Sequence, residues 1–159
     1  MKHLWAPWRM EYINKVHKEK GCFICQALKN KNDRKNLLLI RYPKTLVIMN
    51  RYPYNTGHLL IAPRRHQGKI ELIKPEEFLE CCQTLQKMKR LLDKALKPTA
   101  YNIGANLGRI AGAGLVGHFH IHLVPRWSGD TNYMPIVAKT KVISQALTTL
   151  YDQLKSYLR

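Results

Sequence analysis

The spacing of apolar and polar positions changes period several times along this chain, and each change predicts an element. Residues 37–42 and 45–50 are rich in Leu, Ile and Val and are separated by Pro43 and Lys44, so they read as two strands of a hairpin. The stretch before them, 29–36, holds no apolar side chain and reads as a loop. Arg51 to Gly57 is rich in turn formers, and His58 to Ala62 predicts a third strand closed by Pro63. From Lys74 to Leu96 the period becomes helical, with Phe78, Cys81, Cys82, Leu85, Met88, Leu92 and Ala95 recurring on one face. Pro75 suits the first helical position, Glu76 and Glu77 favour the positive end of the dipole, and Pro98 marks the end. Tyr101–Leu107 and His118–Val124 predict two further strands, separated by a loop containing Gly108, Gly112, Gly114 and Gly117. The helical period returns over 139–159, where Val142, Ala146, Leu150, Leu154 and Leu158 share a face. Five strands, two main helices and short early links predict an α+β fold with a mostly antiparallel sheet.

Residues 1–20 break this regularity. Trp5, Pro7, Trp8 and Tyr12 make an arm too aromatic for a loose tail, and it is expected to pack against the body of the protein or a partner subunit. With 159 residues and no internal repeat or linker, the whole chain, 1–159, is expected to form one domain. No apolar run is long enough to span a bilayer, and the first residues lack the apolar core of a signal peptide. A cytoplasmic protein with no membrane partner is therefore expected.

Charge changes the picture only partly. Lys and Arg outnumber Asp and Glu by 27 to 10, a net +17, which suits either an anionic partner or a solubility-tuned surface. The basic residues are dispersed, with 12 in 1–60, nine in 61–100 and six in 101–159, whereas a nucleic-acid arm is more often a block. Nucleic acid is thus an unlikely partner. Cys22 and Cys25 form a C-x-x-C, which in an intracellular chain is a metal knuckle, a redox pair or incidental. Cys81 and Cys82 read as small core-facing apolar residues.

The segment Gly117-His118-Phe119-His120-Ile121-His122-Leu123-Val124 carries the chemistry. On a strand, alternation places His118, His120 and His122 on one face, about 6.6 Å apart at ~3.3 Å per residue, with Phe119, Ile121 and Leu123 turned to the core. Imidazole serves as nucleophile, proton carrier or metal ligand. Three histidines on one rigid strand are poorly placed to close around a single ion. A nucleophile and its helpers beside a glycine-rich loop is the better fit.

This pattern is similar to that of the histidine triad family, in which three histidines alternate with apolar residues. Asn50, Gly57-His58-Leu59-Leu60-Ile61-Ala62-Pro63 and His66 extend the resemblance upstream. Asn106-Leu107-Gly108, Gly112-Ala113-Gly114, Trp5-Ala6-Pro7-Trp8-Arg9, Arg126-Trp127, Gly129-Asp130 and Met134-Pro135 resemble the branch of diadenosine tetraphosphate phosphorylases and hydrolases. The resemblance implies a two-fold homodimer. It implies attack by His120 on the α-phosphorus of a dinucleoside polyphosphate or related adenylate, giving a nucleotidyl-histidine. His122 would bond a phosphate oxygen or the leaving group. Asn106, with backbone N–H groups around Gly112, Ala113 and Gly114, would hold phosphate, and Asn50 would lie near the ribose hydroxyls. It further implies a structural zinc ion on Cys22, Cys25, His66 and His118, and no organic cofactor. This chain departs from the family's branches at three places. Gly112-Ala113-Gly114 lacks the serine of some phosphorylases. Asn106 replaces the glutamine of the fragile-histidine hydrolases. Leu115 replaces the serine of the phosphoramidases. The second acceptor stays open between water, phosphate and an amine. A nucleotide- or nucleic-acid-binding zinc module with a vestigial site is the alternative.

Overall fold

A computed structural model describes residues 21–130 and 145–158. The aromatic arm 1–20, Met134-Pro135 and the first part of the 139–159 helix lie outside the described residues. Among the described residues the chain runs α1 (Phe23–Lys29), α2 (Asp33–Asn36), β1 (Leu38–Arg41), β2 (Thr45–Met49), β3 (Leu59–Pro63), a 3-10 turn (Ile70–Leu72), α3 (Pro75–Leu96), β4 (Ala100–Gly104), β5 (Ile121–Arg126) and α4 (Leu147–Ser156). The strands form one antiparallel sheet in the order β1-β2-β3-β5-β4, the α+β architecture that the sequence predicts.

Pairing register sorts the sheet's two faces, because directly opposed residues point the same way. Thr45, Val47 and Met49 stand opposite Pro63, Ile61 and Leu59, and Ile61 and Leu59 stand opposite Ile121 and Leu123. The hydroxyls of Thr45 and Thr84 lie 3.1 Å apart, so α3 covers this face. His122 sits opposite Leu60 on one side and Gly104 on the other, and therefore points to the opposite face. The second face is also closed, since Leu46, Ile48 and Leu60 are buried.

Helix α3 begins as predicted. Pro75 opens it, and the Glu77 carboxylate accepts the Lys74 N–H at 3.1 Å, satisfying one of the orphan donors of a helix start. Its buried stripe is Glu77, Cys81, Thr84, Met88, Leu91 and Leu92, displaced from the predicted one. Phe78 is 39% exposed, with its ring 6.2 Å from Phe119, and Cys82 is only half-buried. The polar partners of Glu77 and Thr84 explain the shift: Arg65 meets Glu77 at 2.8 Å and Thr45 meets Thr84, so polar side chains occupy core positions.

Four further boundaries differ from the sequence expectation. The polar stretch 29–36 contains a helical turn, because the Asn32 side chain accepts the Lys35 N–H at 3.0 Å. Leu37 caps that turn in the left-handed region at φ 59°, so β1 starts one residue later than predicted. Strand β4 ends at Gly104 rather than Leu107. Strand β5 starts at Ile121 rather than His118 and runs to Arg126. Pro125 fits within it because β3 pairs only as far as Leu123, which leaves no partner on that side for a missing N–H. In the tail, Leu150, Tyr151 and Leu154 are buried, and the Tyr151 hydroxyl donates to Leu38 O at 3.1 Å. No helix among the described residues is long and apolar enough to cross a membrane.

Candidate active site and metal centre

All three triad histidines are buried, so they do not form a solvated face. His118 and His120 precede β5 rather than belonging to it. The reason is local: the Phe119 N–H donates at 2.7 Å to Gln67 O, in the loop after β3, instead of to a strand. That loop approaches very closely. A Cβ on Gly68 would stand 2.4 Å from Val116 O, so only glycine fits there. Alternation survives without ladder bonds, since Phe119 and Ile121 are buried in the core.

Each ring has its tautomer set by a partner of known polarity. His118 donates Nε2–H to Pro63 O at 2.7 Å, leaving the Nδ1 lone pair 3.3 Å from Cys22 Sγ and 3.6 Å from Cys25 Sγ. His120 donates Nδ1–H to His118 O at 2.8 Å, leaving the Nε2 lone pair available for attack. His122 requires one more step. His58 Nδ1 accepts the Tyr54 backbone N–H at 3.0 Å and lies 3.2 Å from Asn50 Nδ2. The Asn50 amide is oriented by its Oδ1, which accepts the Tyr52 N–H at 2.9 Å. His58 therefore carries its proton on Nε2 and donates it to His122 Nδ1 at 2.8 Å. His122 must then hold its own proton on Nε2, a buried atom with no partner among the described residues. It is a donor in waiting.

Burial holds these rings neutral. It pushes His122 down to about 4, with His120 beside it adding to the effect. Burial also lowers His120 and His118, opposed in part by the hydrogen bonds to His118 O and Pro63 O. The rings touch: His120 and His122 centroids are 4.9 Å apart, and Tyr54 stacks on His122 at 5.7 Å and 22°.

The sequence left His58 undecided between a loop residue and a site residue, and the structure brings it into the site. Asn50 is placed beside it, with both ends of its amide engaged, although a second amide hydrogen and further lone pairs remain for a ligand. The glycine-rich loop differs from expectation. Gly112 N–H and Ala113 N–H are turned inward, to Arg109 O at 3.0 Å and Gly108 O at 3.2 Å. Gly108 and Gly112 adopt φ of +85° and +89°, which a side chain would strain. Of the three residues, only Gly114 has an N–H without a backbone acceptor among the described residues. Asn106 lies beside this loop, its Nδ2 within 3.7 Å of where a Gly112 Cβ would stand.

Cys22, Cys25, His66 and His118 converge, their ligand atoms all within 4.8 Å of one another, and could hold a metal ion. Cys22 is placed by capping α1, its sulfur accepting the Cys25 N–H at 3.4 Å. His66 Nδ1 lies 3.3 Å from Cys25 Sγ. A tetrahedral ion with bonds of about 2.3 Å to sulfur and about 2.0 Å to nitrogen has S···N edges of about 3.5 Å, close to the spacings here. Burial pushes the Cys22 thiol up to about 11, so a cation is what would make it a thiolate at neutral pH.

Similarity to known proteins agrees with this geometry. The HIT domain family matches residues 31–129. An AP-4-A phosphorylase of Mycobacterium tuberculosis is 34% identical over 154 residues, 92% of this chain and 79% of that one. An adenosine 5'-monophosphoramidase of Saccharomyces cerevisiae is 33% identical over 106 residues, 67% of this chain and 63% of that one. Among solved structures, a histidine triad nucleotide-binding protein from Sulfolobus tokodaii superposes with a TM-score of 0.69 at 20% identity, covering 86% of this chain and 91% of that one. A Zn-bound histidine triad family protein from Mycobacterium smegmatis gives 0.68 at 22%, covering 87% and 93%. These last two share the fold.

Proposed function

This chain belongs to the HIT domain family, and on that premise we propose a nucleotidyl hydrolase or transferase that cleaves dinucleoside polyphosphates, such as diadenosine tetraphosphate, at the α-phosphate. The observation that carries this reading is the pair of complementary tautomers. His120 offers a lone pair on Nε2 while its neighbour His122 offers a proton on Nε2. In the proposed reaction His120 Nε2 bonds to the α-phosphorus and the bridging P–O bond breaks. The departing polyphosphate oxygen accepts a hydrogen bond from His122 Nε2–H and leaves as the anion. Water or inorganic phosphate then attacks the adenylyl-histidine and frees His120. Charge builds on phosphoryl oxygens, so placed donors matter most, and Gly114 N–H and Asn106 are assigned to them. Gly112 and Ala113 are assigned to the turn that presents Gly114. Asn50 is assigned to the ribose. The likeness to the AP-4-A phosphorylase supports this substrate class. Three intact tautomers argue against a vestigial binding module.

We assign a structural zinc ion to Cys22, Cys25, His66 and His118, supported by the thiolate–imidazole donor set and its spacing. Four protein ligands leave no position for an activated water, so zinc would shape the site without taking part in the reaction. A cytoplasmic setting would keep the thiols reduced. The deciding experiment is incubation with diadenosine tetraphosphate, with and without inorganic phosphate. AMP plus ATP identifies hydrolysis, ADP plus ATP identifies phosphorolysis, and an unchanged substrate refutes the reading.

A further inference from the structure

The run Arg126-Trp127-x-Gly129-Asp130 has no place in the reaction as drawn, yet the Asp130 carboxylate accepts four hydrogen bonds. Its side chain is 8% exposed. Asp130 Oδ2 accepts from Arg126 Nε at 2.6 Å, from the Trp127 N–H at 3.0 Å and from Asn55 Nδ2 at 2.7 Å, while Oδ1 accepts from Arg126 Nη2 at 2.9 Å. Arg126 also donates from Nη1 to Asn102 Oδ1 at 2.8 Å, tying β4 to the same knot.

Asn55 is the outward link. Its Nδ2 also reaches Pro125 O at 3.1 Å, and its backbone O accepts the His58 N–H at 3.2 Å. Asn55 follows Tyr54, whose N–H fixes the His58 ring. The loop between β2 and β3 thus touches His58 three times through its backbone, from Asn50, Tyr54 and Asn55, and among the described residues Asn55 links it by its side chain to the end of β5. Gly57 packs the loop down: at φ +77° it lies so close to Leu96 that a Cβ would stand 2.6 Å from that side chain.

We propose that Asp130 is a positioning residue for the histidine pair: through Asn55 it holds the loop whose backbone N–H keeps His58 an Nε2–H donor and so keeps the hydrogen of His122 on Nε2, where it can bond the leaving group. The inference rests on the proposed cleavage at phosphorus only for its kinetic consequence. If the anchor is lost, the Tyr54 N–H drifts from His58 Nδ1 and the Tyr52 N–H from Asn50 Oδ1, so both donors that face His58 Nδ1 lose their placement, its tautomer is no longer unique, and His122 ceases to be a reliable hydrogen-bond donor. Attack by His120 is untouched, because its tautomer is set separately by His118 O. The defect therefore depends on how much the leaving group needs a hydrogen-bond donor.

Two readouts test this. The first is the ¹⁵N spectrum of histidine-labelled protein, which reports ring tautomers without substrate. His122 is expected in the Nε2–H form in the wild type and in Asp130→Asn, whose amide oxygen can still accept from Asn55. A mixture is expected in Asp130→Ala and in Asn55→Ala, the latter sparing the Arg126–Asp130 pair if Asp130→Ala fails to fold. The second compares two adenylates: an alkylamine phosphoramidate of AMP, whose strongly basic leaving nitrogen needs a donor, and the p-nitrophenyl ester of AMP, whose phenolate leaves without one. Both alanine variants should lose at least about tenfold in kcat on the first and less than about threefold on the second. A wild-type tautomer pattern in both alanine variants, or equal losses on the two adenylates, would overturn the proposal. Absence of turnover by the wild type with the tautomer shifts intact would refute the cleavage reading and leave the positioning role standing.

Discussion

His120 and His122 are adjacent on the chain's face and opposite in protonation, and this division makes their substitutions separable. His120→Ala removes the Nε2 lone pair assigned to the attack and should reduce turnover to background. Nucleotide binding should persist, because Gly114, Asn106 and Asn50 are unaltered. Acid-quenched mass spectrometry during turnover should find one AMP on the wild-type peptide containing His120 and none on the variant; near wild-type turnover by the variant would exclude a covalent route. His122 also makes stability depend on pH. Its folded value of about 4 lies below the 6.5 of an open chain, so between these limits the unfolded chain takes up a proton that the folded one refuses. Stability is then full above about pH 6.5 and falls as pH drops toward 4, by roughly 3 kcal/mol across the window. Urea midpoints measured at intervals from pH 7 to pH 4 should fall accordingly, and should fall less steeply in His122→Gln.

Among the elements, the clearest test concerns which face of α3 is the core. Leu92 is fully buried and Leu92→Ala should cost about 2–5 kcal/mol in chemical denaturation. Phe78 has the larger side chain but is 39% exposed, and Phe78→Ala should cost less than Leu92→Ala. The reverse order would mean that Phe78 is covered in solution. This helix also shows what the sequence could convey. Its bounds were legible because Pro75, Glu77 and Pro98 are local signals, and the first three strands because their apolar runs are long. The exact stripe was not, because Thr84 and Glu77 enter the core through partners distant in sequence, Thr45 and Arg65. The triad's alternation was legible and its backbone was not, because the Phe119 N–H bonds to a loop that no local pattern announces. The short helix α2 depends on one capping side chain, Asn32, and was lost in a polar stretch. His58 could be singled out from the sequence but not placed, since its role is visible only once β3 lies beside β5.

At the scale of the whole molecule, the sheet formed by the described residues ends at β4, which pairs there with β5 alone, and Ile103 on it is 54% exposed. An unpaired strand edge carrying an apolar residue invites a second copy. The homodimer implied by the family resemblance is therefore expected to form along β4. Light scattering at micromolar concentration should give twice the mass of the chain, and Ile103→Lys should shift it toward one; a monomeric wild type would exclude this assembly.

The four side chains that could hold a metal ion also have a bearing on time. Cys22 and His118 are 96 residues apart, so the cluster can assemble only after most of the chain has found its place. Closing so long a loop is entropically costly and comes late, after contacts of shorter separation. An ion held there would stabilise the finished fold more than the barrier that precedes it. Stopped-flow refolding should then proceed at nearly the same rate with zinc or with a chelator, while unfolding slows markedly with zinc. Such an ion would act as a latch, setting how long the active arrangement lasts rather than how quickly it is reached.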